Sequence, residues 1–111
     1  QHNLGMMYGN GQGVPQDYVE AMTWYRKAAD QGHRWAQYFL GSMYESGQGV
    51  PQDYVPAHAW FNLAASQGHI EANSRKNWLT KKLTKEQLAK AQALATELHG
   101  QIQTRQSESG N

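Results

Sequence analysis

The sequence predicts an all-α fold, an alpha-alpha superhelix of antiparallel helix pairs closed by a C-terminal capping helix. Three observations lead there. The stretch from Leu4 to His33 returns from Leu40 to His69 without a gap, at a period of 36 residues, within the range of helical repeat arrays. Inside each copy, apolar residues recur at helical spacing in two runs separated by Gly-x-Gly-Val-Pro. After the second copy the pattern decays into one long amphipathic run. A repeat that cannot bury its own apolar face has to be stacked, and a stack exposes an extended surface.

The chain is expected to form one domain over residues 1–111. Repeat 1 spans 1–33, repeat 2 spans 34–69, a partial third repeat with the capping helix spans 70–106, and 107–111 form a polar tail. Gln1 aligns with Gln37, so repeat 1 lacks counterparts of Arg34, Trp35 and Ala36. Further repeats are therefore expected upstream.

In the complete copy, Ala36, Phe39, Leu40, Met43, Tyr44 and Gly47 lie on one helical face. Gly41 sits inside that helix, where glycine costs about 1 kcal/mol relative to alanine; close approach of a partner helix is the expected reason. The helix should stop near Ser46 and Gly47, where a glycine and a following proline end it. Asp53 is then the expected cap of the second helix, as Asp17 is in the first copy. Glu20 follows Asp17 by three residues, like a capping box. Pro56 stands at that place in the second copy, so Asp53 should cap through the Val55 amide. The second helices carry Ala57, Trp60, Phe61, Ala64 and Ala65 in one copy, and Ala21, Trp24, Tyr25, Ala28 and Ala29 in the other. Large rings alternate with alanines, which allows close interlocking. Gln31-Gly32 and Gln67-Gly68 supply left-handed ends.

A third first-helix starts near His69. Ala72 matches Ala36, but Lys76 replaces Leu40 and Asn77 replaces Gly41. Thr84 and Gln87 form a capping box for the final helix. Its Leu88, Ala91, Ala95, Leu98 and Ile102 share one face, while Lys85, Glu86, Lys90, Gln92 and Glu97 share the other. Such a helix closes a core and presents a polar back to water. From Gln106 onward the residues are polar, and fraying is expected.

Composition narrows the function classes. Hydrophobic residues make up 39% and charged residues 17%, which suits a folded chain. Ten basic and nine acidic side chains leave a net charge of +1. Apart from a short run at Lys81, Lys82 and Lys85 no basic block stands out, so nucleic-acid binding is not expected. No apolar run has membrane-spanning length. The absence of cysteine removes disulfides, thiolate catalysis and zinc–sulfur sites, and leaves the compartment open. The chain starts at Gln1 rather than Met, which leaves room for a removed leader.

Several residues invite a chemical reading and have a plainer one. Gly11-x-Gly13 and Gly47-x-Gly49 look like phosphate loops, but no strand precedes them and no Lys-Ser/Thr pair follows; they read as turn glycines. His33 and His69 are repeat equivalents at interhelix turns, which points to structural or solvated roles. His2, His58 and His99 complete the set, with none of the spacings of known metal sites, so no metal or cofactor is expected. His58 follows Ala57 and is expected to face solvent. Capping accounts for Asp17 and Asp53 without acid–base chemistry.

These residues resemble Sel1-like repeats, a subfamily of the tetratricopeptide-type helical repeats. The signature reads Ala36-x3-Leu40-Gly41-x2-Tyr44-x2-Gly47-x-Gly49-Val50-x2-Asp53, then Ala57-x2-Trp60-Phe61-x2-Ala64-Ala65-x-Gln67-Gly68. The first copy matches from Leu4, and the resemblance covers residues 1 to about 80. It implies a right-handed superhelix and a non-enzymatic role as adaptor or scaffold in protein complexes, often in bacterial envelope or host-interaction settings. It also favours an exported or periplasmic location. Cysteine-rich relatives have been linked to β-lactams, which makes β-lactam hydrolysis the enzymatic alternative. That chemistry needs Ser-x-x-Lys and Lys-Thr-Gly, and neither occurs here.

The resemblance also implies that the first helix of each pair lines the concave face, through residues off its packing stripe. In repeat 2 these are Trp35, Tyr38, Ser42 and Glu45. In the third first-helix they are Glu71, Ser74, Trp78 and Lys81, and in repeat 1 His2, Met6 and Gly9. An aromatic patch of Trp35, Tyr38 and Trp78, flanked by Glu45, Glu71 and Lys81, suits a peptide or protein partner. The alternative is that both tryptophans pack against neighbouring helices. A second function remains open: a purely structural stacking segment of a longer solenoid, whose exposed N-terminal repeat face could also self-associate.

Overall fold

A computed structural model describes residues 18–109, which form five helices in sequence. They are α1 (Tyr18–Asp30), α2 (Arg34–Ser46), α3 (Tyr54–Ser66), α4 (Ile70–Lys82) and α5 (Lys85–Ser109). His2, Met6, Gly9, the first-copy turn glycines and the Asp17 cap lie outside the described residues. No strand occurs among the described residues, and the all-α repeat fold stands.

The joints follow from local chemistry. After α1, Gly32 at φ 89° lets its amide reach Ala29 O and the His33 amide reach Ala28 O. After α3, Gly68 at φ 86° repeats both bonds with Ala65 O and Ala64 O. This is the Schellman pattern, which satisfies two carbonyls that a helix end leaves free. α2 ends on Gly47 at φ 76°, and Asp53 accepts from the Val55 amide at 3.1 Å to start α3. Thr84 and Gln87 make both bonds of the capping box at α5, at 3.0 and 3.1 Å.

Packing is successive: α1 on α2, α2 on α3, α3 on α4. α5 turns back, lies along α3 and reaches α1. Its Ala95, Leu98 and Ile102 enter the same core as Ala21, Tyr25, Leu40 and Trp60. α3 is thereby covered on three sides, which buries Ala59 and Leu63 as well as Ala57, Trp60, Phe61 and Ala64 of its expected stripe, while Ala65 is half-buried. Leu88 is only half-buried, and α5 stays helical through Ser109, beyond the point where the pattern turns polar.

A second, smaller core joins Ala57, Phe61, Ala64, Ala72 and Leu79 between α3 and α4. Gly41 explains how near the helices come: a Cβ there would lie 2.7 Å from Phe61 Cδ1. One buried polar residue ties the repeats together. Gln37 donates through Nε2 to Ala29 O at 3.3 Å and accepts from Gln67 Nε2 at 2.7 Å. It thus links the end of α1 to the end of α3, with both polar atoms of its buried amide hydrogen-bonded.

His58 corrects an expectation. It is 3% exposed, not solvent-facing. The position is one past the apolar stripe, but α4 and α5 close over that side of α3, a tertiary effect that a single-helix pattern does not carry. Its Nε2 lies 2.9 Å from Thr80 Oγ1, whose hydroxyl donates to Lys76 O at 2.8 Å. The hydroxyl therefore accepts from Nε2–H, and Nδ1 is the bare acceptor. Burial, then the Lys76 charge, lowers the His58 pKa below 6.5. The folded state thus takes up this proton less readily than the unfolded chain. Stability should be full at neutral pH and decline as pH falls through about 6.5. Melting temperature followed from pH 7.5 to 5 should fall less steeply in His58→Gln than in the wild type; equal slopes would remove His58 as the cause.

Candidate functional site

The face built by α2 and α4 carries the predicted residues, and the structure separates them into two clusters. The first lies at the start of both helices. Tyr38 stacks on the His69 ring at 4.5 Å and 20°. Trp35 meets the same ring edge-on at 5.7 Å. His69 is itself the cap of α4, with Nδ1 accepting from the Ala72 amide at 3.1 Å. A residue that starts α4 thus orients two rings on α2, the first helix of the preceding repeat. Trp35 stays 49% exposed.

The second cluster lies further along. Glu45, near the end of α2, receives two hydrogen bonds from Arg75 of α4, one from Nε at 3.2 Å and one from Nη2. That pairing, above all the hydrogen bonding, raises the Arg75 pKa, so the guanidinium stays charged. It lies over the Trp78 ring at 4.6 Å, and Lys82 Nζ lies 5.2 Å from the same ring. Tyr54 supports Trp78 edge-on at 6.2 Å. The ring is held from several directions yet remains 39% exposed.

Ser42 is half-buried on α2 between the clusters, whereas Glu71, Ser74 and Lys81 are exposed on α4. Spaced at i, i+3, i+7 and i+10, Glu71, Ser74, Trp78 and Lys81 form one stripe. Trp35, Tyr38 and Trp78 do not merge into one patch by any ring contact among the described residues. The sequence reading missed His69, Arg75, Tyr54 and Lys82 as parts of this face. Arg75 occupies the place of Phe39 in the preceding repeat, and that exchange was the available signal.

Behind this face, a cleft of about 200 Å³ opens between α3, α4 and α5. Lys76, Asn77 and Thr80 line it where Leu40, Gly41 and Tyr44 stand in the repeat before. The polar exchange fits a helix on which no further second-helix is packed. No group of three or more His, Asp or Glu converges among the described residues. No helix among them is long and apolar enough to cross a membrane.

The family model of the Sel1 repeat matches residues 1–33 and 36–69. The chain belongs to the Sel1 repeat family. Two solved structures carry the same Sel1 architecture. One is a protective antigen present in uropathogenic Escherichia coli strains and displaying an SLR fold. It superposes with a TM-score of 0.88 at 39% identity over 91% of this chain. The other is a Sel1 repeat protein from Oxalobacter formigenes, with a TM-score of 0.65 and 43% identity over 68% of this chain. This chain spans 22% of the first protein and 57% of the second. No curated protein matches it. Sel1 repeats are generally non-catalytic modules of protein interaction, and this chain has their helical repeat scaffold.

Proposed function

We propose that the chain is a non-enzymatic adaptor that holds a peptide or protein segment on the concave face of its repeats, across α2 and α4. One observation carries this reading: Trp35 and Trp78 leave 49% and 39% of their surface exposed on helices of successive repeats, although neighbouring groups fix both rings. Large rings already fixed in place lose little entropy on contact, which is what binding hot spots share. Trp35, Tyr38, Ser42 and Glu45 form one half of the surface, and Glu71, Ser74, Trp78 and Lys81 the other.

The test is affinity capture from extracts of the source cells, with wild-type, Trp35→Ala and Trp78→Ala chains as baits. A partner held by the wild type should be lost with at least one still-helical variant. Retention by both variants would move the interface elsewhere. If either variant unfolds, its ring belongs to the core.

The coverage of the two relatives favours a second reading, in which the chain is a stacking segment of a longer solenoid. Association of the isolated chain should then disappear when it is placed in that longer array. An exported location belongs to the same proposal, supported by the family resemblance and by the description of the first relative as a protective antigen. Cell fractionation that finds the protein only in the cytosol would overturn it.

A further inference from the structure

Charge is distributed unevenly along this chain. Residues 75–90 hold six of its ten basic side chains and only one of its nine acidic ones. That segment therefore carries +5, and the remainder −4. It runs from the second half of α4 into the first turns of α5.

Ordinary helix electrostatics explains only part of this. Lys81 and Lys82 lie in the last turn of α4, where cations complement the helix dipole. Lys85 is the first residue of α5, the end where the dipole disfavours a cation. No ion pair among the described residues reaches Lys81, Lys82 or Lys85. All three are exposed. Arg75 is different, because Glu45 neutralises it while it lies over Trp78. The corner thus combines a fixed aromatic ring with three unneutralised ammonium groups. Two acids temper it: Glu71 on the same stripe, two turns before Trp78, and Glu86 at the start of α5.

We infer that the α4–α5 corner docks an acidic protein segment, one that sets an apolar side chain against the free part of Trp78 and carboxylates against Lys81, Lys82 and Lys85. This rests on the adaptor reading and gives its partner a chemistry. Charge complementarity selects the occupant, since like charges would be repelled and a neutral segment would leave the ammonium field unused. The apolar anchor follows from the ring, whose exposed area contributes only when covered by a surface that does not need water.

The experiment is an NMR titration of the labelled chain, with Trp35 and Trp78 indole signals assigned from Trp→Phe variants. Three synthetic peptides of one length are compared, each with a central Phe, flanked by Glu, by Gln or by Lys. The Glu peptide should shift the Trp78 indole and the amides of Lys81, Lys82 and Lys85. Its affinity should fall as salt rises, and weaken about tenfold or more when these three lysines become glutamates. Conversion to glutamine should weaken it less, with helicity unchanged in both variants.

Equal binding of the Gln peptide at the same corner would overturn the acidic partner and leave the adaptor reading standing. Shifts centred on Trp35 would do the same. A thymidine oligonucleotide or phosphatidylglycerol vesicles binding more tightly than the Glu peptide would replace the partner with a nucleic acid or a membrane surface. Shifts that grow with protein concentration alone would assign the corner to a second copy. Silence from all probes would overturn the acidic docking site, and unchanged capture by both tryptophan variants would in addition move the adaptor's interface off this face.

Discussion

Trp60→Ala should destabilise the chain by about 3–5 kcal/mol, the range for emptying a buried aromatic site. Trp60 is 2% exposed and lies in the core that joins α1, α2, α3 and α5. The Arg26 guanidinium covers its ring at 5.1 Å from α1. Removing the ring therefore withdraws contacts from both repeats and from the returning helix at once. A domain of this size has a total stability of about 5–15 kcal/mol, so such a loss takes a large share of it. Trp24 is the internal control, being the same residue at the same repeat position. It is only half-buried, its Nε1 donating to Glu20 at 3.3 Å and its ring 4.9 Å from Lys27 Nζ. Trp24→Ala should cost less than about half as much, in proportion to the smaller apolar area that it returns to water. Urea unfolding of both variants checks this. Equal losses would mean that repeat position, rather than packing, sets the cost.

The two tryptophans show where sequence legibility stops. The repeat places both on the same stripe, and nothing local separates them. Burial differs because Trp60 is covered by Arg26 of the preceding repeat and lies in a core that α5 also joins on its return along α3, and the amphipathic pattern of α5 says which face is apolar without naming the helices it covers. The same return buries His58, whose position beside the stripe reads as solvent-facing on an isolated helix. Features set by neighbouring residues were legible: the glycine ends of α1, α2 and α3, the Asp53 cap and the Thr84–Gln87 box all form as the sequence implies. Of the site, the exposed rings and their helices could be read from the repeat register. What holds the rings could not, because His69 lies in a turn and Arg75 takes an apolar place. Their roles depend on helices 30 or more residues apart in the chain.

Gly41→Val should destabilise the chain by about 2–3 kcal/mol, although glycine is itself an unfavourable residue inside a helix. The opposing terms can be compared directly. Replacing glycine relieves about 1 kcal/mol of helix cost or less. Against that, the new Cβ would be 2.7 Å from Phe61 Cδ1 and 2.8 Å from Cε1. Those atoms belong to a ring with no exposed surface, 5.7 Å from Tyr38, so it has nowhere to retreat. The branched γ-methyls of valine add to the overlap, and α2 must move away from α3. Phe61→Ala alone should cost about 3–5 kcal/mol. The double variant should be more stable than the sum of the two losses predicts, by roughly 0.5–3 kcal/mol, because the alanine opens the space that the valine needs. Strict additivity would mean that Gly41 is there for another reason. The third repeat provides the comparison: Asn77 occupies the equivalent place on α4 and is exposed, since α5 packs on α3 and α1. Asn77→Ala should leave stability within about 0.5 kcal/mol. The glycine is thus needed only where a second helix of the repeat comes close, and the same missing neighbour leaves the α4–α5 corner open to a partner.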